Sequence, residues 1–252
     1  MNRYELTQDT LTHENGITLH RIKDLQSGEL GGFVESTLNL SQDGTAWIAQ
    51  NARVFGSARI HGAAQVFEDA WVFENADIGD EARVSGFSWI FGSAMVSGQA
   101  TIERHAIICG NAAIIEQAWI RGHSRISGNA RIGGKAQISG DAQISGHASV
   151  SGAAVIEGEA RLAGRCIIAE SATVFDGARV FEDAHVSGSS RIFGSATIRG
   201  KARVSDEARV FGAATVFGSA EILGQAWIFD TAKIGGEVRL NGIARVNESR
   251  SE

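Results

Sequence analysis

The chain contains no proline, two cysteines and one tyrosine in 252 residues, and each shortage excludes something. A loop-rich domain would use proline at roughly 5%; its absence points to a backbone that needs nearly every N–H for strand pairing. Two cysteines make no disulfide framework. The net charge is −6 with acids and bases interspersed, so there is no polybasic footprint for nucleic acid. No stretch approaches the ~18 apolar residues of a membrane span, and Met1–Thr10 lacks the apolar core of a signal peptide. The expectation is a soluble, cytoplasmic protein with neither nucleic acid nor membrane as partner.

What the chain has is a repeat. Blocks of six starting at Thr45 (TAWIAQ, NARVFG, SARIHG) run to Glu248 as 34 hexads without insertion or deletion. The fourth position is Ile, Val or Leu in all 34, and the second is Ala in 29, with Ser88, Ser124, Ser190, Cys166 and Val238 as exceptions. The sixth is mostly Gly, otherwise usually Glu or Asp. Inward positions two and four alternate with outward residues, which is the strand period rather than the helical one. Gly at position six lets the chain turn at positive φ. Three such corners close a triangle, so three hexads make one coil. The phenylalanines support that closure. Five sit at position five of one column of period 18 (Phe55, Phe73, Phe91, Phe181, Phe217), five in a second (Phe67, Phe175, Phe193, Phe211, Phe229) and none in the third.

The expected fold is all-β: a single-stranded parallel β-helix over residues 45–248, triangular in section, of about 11 coils. Residues 1–44 break the repeat. YELTQDT and GITLHRI read as two strands around a His13-Glu14-Asn15-Gly16 turn, forming an N-terminal β-hairpin cap with Leu30 and Phe33 packed inward. Residues 249–252 read as a charged tail.

The aliphatic–x–x–x–small spacing resembles the bacterial hexapeptide-repeat family. That resemblance, not the periodicity, implies a left-handed helix. Leu19–Arg53 (LHRIKDLQSGELGGFVESTLNLSQDGTAWIAQNAR) resembles the entry segment of the YdcK-like group within it. The family also implies an enzyme hypothesis: many members are acyltransferases using acetyl- or acyl-coenzyme A, with a histidine near a subunit interface. Here no loop interrupts residues 45–248 and nothing helical follows. A zinc carbonic anhydrase of this fold would carry two histidines five residues apart, and no pair in this chain has that separation.

Two sets of outward residues carry the functional expectations. His105 and His123 stand 18 apart, with Phe87 before them and Asp141 and Glu159 after; either is the candidate base if acyl transfer is the activity. No metal site is expected. All five Trp occupy position three, and Trp71 and Trp89 are 18 apart with Ile107 next in the column. Stacked beside Phe55, Phe73 and Phe91 they predict a contiguous apolar strip, and such strips mark interfaces. The leading expectation is therefore a rigid, non-catalytic scaffold that forms a homo-oligomer, dimer or trimer, or binds a protein partner through that strip. It would use no cofactor.

Overall fold

The computed structural model describes residues 2–13 and 16–251. They are all-β, without a helix, in stacked coils that repeat roughly every 18 residues. Two compact units divide the chain, residues 1–123 and 124–252.

The first unit opens with strands β1 (Tyr4–Thr12), β2 (Thr18–Asp24) and β3 (Leu30–Val34), joined antiparallel in that order, with a bulge between Leu6 and Thr10. Glu14 and Asn15, where the tight turn is expected, lie outside the described residues. On either side of them Gly16 has φ +85° and its N–H donates to the His13 carbonyl at 2.8 Å. Strand β3 then joins the solenoid in parallel, Phe33 against Arg53 and Val34 against Val54.

From there each two-residue strand pairs with its counterpart on the next coil, as Arg59–Ile60 does with Asp77–Ile78. The amides at positions one, three and five all donate to the next coil. Asn51, Arg53 and Phe55 N–H reach the carbonyls of Glu68, Ala70 and Val72 at 3.0, 2.9 and 3.1 Å. A proline at any of these positions would delete a rung, which explains its absence. Three ladders result in each unit, one per face. In the second unit they start at Arg125–Ile126, Arg131–Ile132 and Gln137–Ile138.

Positions two and four fill the interior. Ile48, Val54, Ile60, Ile138 and their equivalents are fully buried, as are the alanines beside them. Burying each aliphatic side chain contributes about 1.5–3 kcal/mol, while alanine at position two is the size the converging faces admit. Serine substitutes there because it satisfies itself locally. The Ser88 hydroxyl donates to the Ser85 carbonyl at 2.6 Å, and Ser190 to Ser187 at 2.7 Å. Cys166 fills another such position, where burial pushes its thiol up to about 12.

Corners explain the sixth position. Glu68, Glu74, Asp80, Arg104, Glu170, Asp176, Glu182 and Asp206 all have φ between +54° and +66°. A side chain in that region costs about 1 kcal/mol. The acids recover it: their carboxylates accept the otherwise unpaired amide of the next corner, as Glu68 does from Gly86 (2.6 Å), Asp80 from Gly98 (2.9 Å) and Glu182 from Gly200 (2.7 Å). A charge-assisted bond of this kind is worth about 1.5–3 kcal/mol before solvent screening, enough to offset the strain. Each of these side-chain-bearing corners is followed by glycine at the same corner of the next coil. A Cβ built on Gly86 would stand 2.5 Å from the Arg104 nitrogen. The clash is with the backbone of the following coil, so this corner admits glycine.

The ends differ from expectation in two places. The first coil begins before the repeat: β3, a bridge from Leu40 to Ile60, and β4 (Trp47–Ile48) supply its three faces. Two extra residues between Leu40 and Ile48 shift its register from 20 to 18 relative to the next coil. Buried Asn39 holds this irregular stretch, donating to the Gly56 and Ala58 carbonyls at 3.0 and 2.9 Å, while the Tyr4 hydroxyl donates to Leu40 O at 2.6 Å. Gly31 and Gly32 pass so close to Ile48 and Ala52 that a Cβ on either would lie within 2.6 Å of a carbonyl oxygen. Phe33 is buried as expected. Leu30 is 55% exposed, because it starts β3 opposite Lys23, outside the closed coil. At the other end the tail does not leave the fold: Arg250–Ser251 adds a further parallel strand against Lys233–Gly235.

Candidate functional site

One face of the first unit carries both sets of residues singled out in the sequence. Three outward ladders run side by side on it. Position one gives Asp69, Phe87, His105 and His123; position three Arg53, Trp71, Trp89 and Ile107; position five Phe55, Phe73, Phe91 and Cys109. In-register parallel pairing sets the side chains of successive coils directly beside each other, so the rings stack. Trp71 and Trp89 have centroids 5.5 Å apart at 14°, Phe73 and Phe91 4.9 Å at 6°, Phe87 and His105 5.2 Å at 7°, and His105 and His123 4.8 Å at 3°. Each ring covers its neighbour's face and presents its edge to solvent. That geometry leaves no π-face within the ladders for a sugar or base to stack on, and offers flat apolar edges instead.

The hairpin covers the upper end of this face. Leu19 and Phe33 enclose Phe55, which is 6% exposed, and Leu11, Ile17, Trp71 and Phe73 pack around them. The His13 ring lies 5.0 Å from Phe55 and 5.2 Å from Trp71. The Arg53 guanidinium caps Trp71 at 4.8 Å. Below this contact the face is open, with Phe87 57% and Trp89 43% exposed. The predicted strip is therefore two regions: Phe55 is interior, Trp71 and Phe73 lie at its margin under the hairpin, and beyond them Trp89 is exposed, with Phe91 and Ile107 half-buried and Phe87 and His105 beside them. Phe87 belongs to this surface and was legible only as the residue preceding the histidine column.

Along one edge of the face runs an open groove of about 620 Å³, lined by Glu68, Phe87, Glu103, Arg104, His105 and His123 among others. It exists because glycines alternate with side chains at this corner. Gly86 leaves a notch between the projecting Glu68 and Arg104, and Gly122 another beyond Arg104. Both histidines are exposed there. Their parallel rings cannot share a metal: the nitrogen lone pairs lie in the ring planes, and two parallel planes have no common point about 2 Å from both nitrogens. Among the described residues no group of three His, Cys, Asp or Glu side chains is placed to hold a metal ion. Asp141 and Glu159, the expected continuation of the column, belong to the second unit.

Other outward residues have structural employment. The acidic girdles Glu68/Glu74/Asp80 and Glu170/Asp176/Glu182 are the amide-capping corners already described. His61 lies 3.1 Å from Asp77 and its ring occupies the space above Gly79. In the second unit Phe175, Phe193, Phe211 and Phe229 form a second ring stack, with Arg191 over Phe175 and Arg209 over Trp227.

The ladders, corners and two-residue strands define a β-helix repeat protein, a β-solenoid. Within that class, residues 142–158 match the family model of the YdcK beta solenoid repeat, about one coil of the chain. A comparison with curated proteins returns no match.

Proposed function

We propose that the protein is a rigid, non-catalytic β-solenoid scaffold that makes protein–protein contact through the open part of its aromatic face. The supporting observation is the co-location of Phe87, Trp89, Phe91, His105 and Ile107 on one face, with Phe87 and Trp89 left exposed. Stacked rings on a hydrogen-bonded ladder lose little freedom on binding, so a contact there carries a small ordering cost. That the solenoid takes the hexapeptide-repeat, left-handed form belongs to the same proposal and rests on the family resemblance, not on the periodicity.

A second reading is acyl transfer from acyl-coenzyme A, favoured by the groove beside His105 and His123, with either as general base and Glu103 on the same wall. Isothermal titration of acetyl-coenzyme A into the purified protein separates the two. The scaffold reading expects no saturable heat. Saturable binding that disappears in His105→Ala or His123→Ala would replace it with the transferase reading.

A further inference from the structure

We infer that the partner of the aromatic face is a second copy of this chain, packed face to face with its coils running antiparallel. This inference rests on the scaffold reading above and adds the identity and orientation of the occupant. Charge carries it. Around the central coil of Phe87, Trp89 and Phe91, the coil above is edged with acids and the coil below with bases. Glu68, Asp69 and Glu74 flank Trp71; Arg104 and His105 stand on one side of Ile107, the side that carries Glu68 and Asp69 on the coil above, and uncharged Cys109 and Gly110 on the other.

A two-fold axis along the Trp89 strand exchanges the coil above for the coil below and keeps each column opposite itself. Glu68 then faces Arg104 of the second copy and Asp69 faces its His105, each pair occurring twice by symmetry, while Trp89 meets Trp89 and Trp71 meets Ile107. Arg104 is exposed and makes no ion pair with a described residue, so it is available for this contact. Glu68 gives one carboxylate oxygen to the Gly86 amide and keeps acceptor capacity for a guanidinium.

The parallel alternative exchanges the two edges of the face and sets Glu68 against Glu74. It also brings the two hairpins together at the same end. In the antiparallel arrangement each hairpin stands against the open end of the other copy's face. That the face accepts apolar cover is already evident where Leu19 and His13 lie over Phe55 and Trp71. The available patch is small. The three coils of Trp71, Trp89 and Ile107 span about 14 Å along the ladder, which places the contact at the low end of specific interfaces and predicts a micromolar dimer rather than an obligate one.

Sedimentation velocity over roughly micromolar to millimolar concentration tests this. The wild type should pass from monomer to dimer, and Trp89→Glu should stay monomeric. Glu68→Arg and Arg104→Glu should each weaken the dimer on the order of tenfold, because each creates two like-charge contacts. The double exchange should restore it to within a few fold. Both substitutions suit a corner of positive φ, since Arg104 and Glu68 already occupy that conformation, and circular dichroism melts would confirm the folds. A wild type that stays monomeric, a trimer, a dimer indifferent to Trp89→Glu, or a double variant no better than the singles would each overturn the inference. A monomeric wild type would leave the scaffold reading open to a different protein partner, whereas acetyl-coenzyme A binding lost in the histidine variants would remove that reading itself.

Discussion

The side chain of Glu74 reaches along its corner to the amide of Gly92 on the next coil and accepts its N–H at 2.9 Å. Glu74 sits at φ +60°, a conformation that costs a side chain energy, and the bond it makes is what offsets the cost.

This predicts a difference in size between two truncations. Glu74→Ala keeps the strained backbone and loses the acceptor, so it should destabilise by about 1–2 kcal/mol. Glu74→Gly loses the acceptor and the strain together and should lie within about 0.5 kcal/mol of wild type. Urea denaturation of the two variants measures this. Equal losses would mean that the positive-φ corner stores no strain, and an undiminished Glu74→Ala would mean that the carboxylate–amide bond contributes nothing.

Inward and outward positions should respond oppositely to polarity. Ile138 is fully buried at position four and Arg131 is exposed at position three. Ile138→Asp buries an unpaired carboxylate and should cost several kcal/mol, enough to unfold the surrounding coils. Arg131→Ala should stay within about 0.5 kcal/mol. Hydrogen exchange would locate the damage: in Ile138→Asp, protection should collapse first around the coils neighbouring Gln137–Ile138.

The two cysteines should differ in reactivity. Burial pushes the Cys166 thiol up to about 12, while Cys109 is partly exposed on the aromatic face. At pH 8 iodoacetamide should alkylate Cys109 alone in the native protein and both in urea, read by mass spectrometry. The linkage has a definite sign. An acid whose folded value is raised stabilises the fold fully below its unfolded value, near 8.5. That contribution is lost as the pH climbs from about 8.5 toward about 12. Cys166→Ala should therefore remove part of the alkaline loss of stability. Native labelling of Cys166 at pH 8 would contradict its burial.

The hexads made the coil legible because the repeat writes the same choice of inward residue 34 times over. Every position-four residue from Ile48 to Val246 is buried as its place in the hexad requires. The aromatic strip was legible as columns, but its two regions were not. Phe55 and Phe73 look alike in sequence, and only the hairpin, whose Leu11, Ile17 and Leu19 follow no hexad period, distinguishes them. The acidic corners were legible as positions but not as hydrogen bonds, since the amide each one caps lies a full coil away in the chain. The glycine that follows each of them was the signal available. Leu30 misled because apolarity outside a repeat carries no direction. The histidine column and the tryptophan column read as separate features, although Phe87, Trp89 and Phe91 share one hexad and so one face.

Because a strand of the repeat pairs only with its counterparts one coil before and one coil after, the chain can change length only in particular steps. A duplication of three whole hexads inserts a coil, restores each ladder and extends the unit by about 4.8 Å. A duplication one residue shorter turns the downstream position-two alanines to solvent and the position-three arginines toward the axis. Length is thus quantised here: whole coils can be copied or deleted without redesigning a single contact inside them.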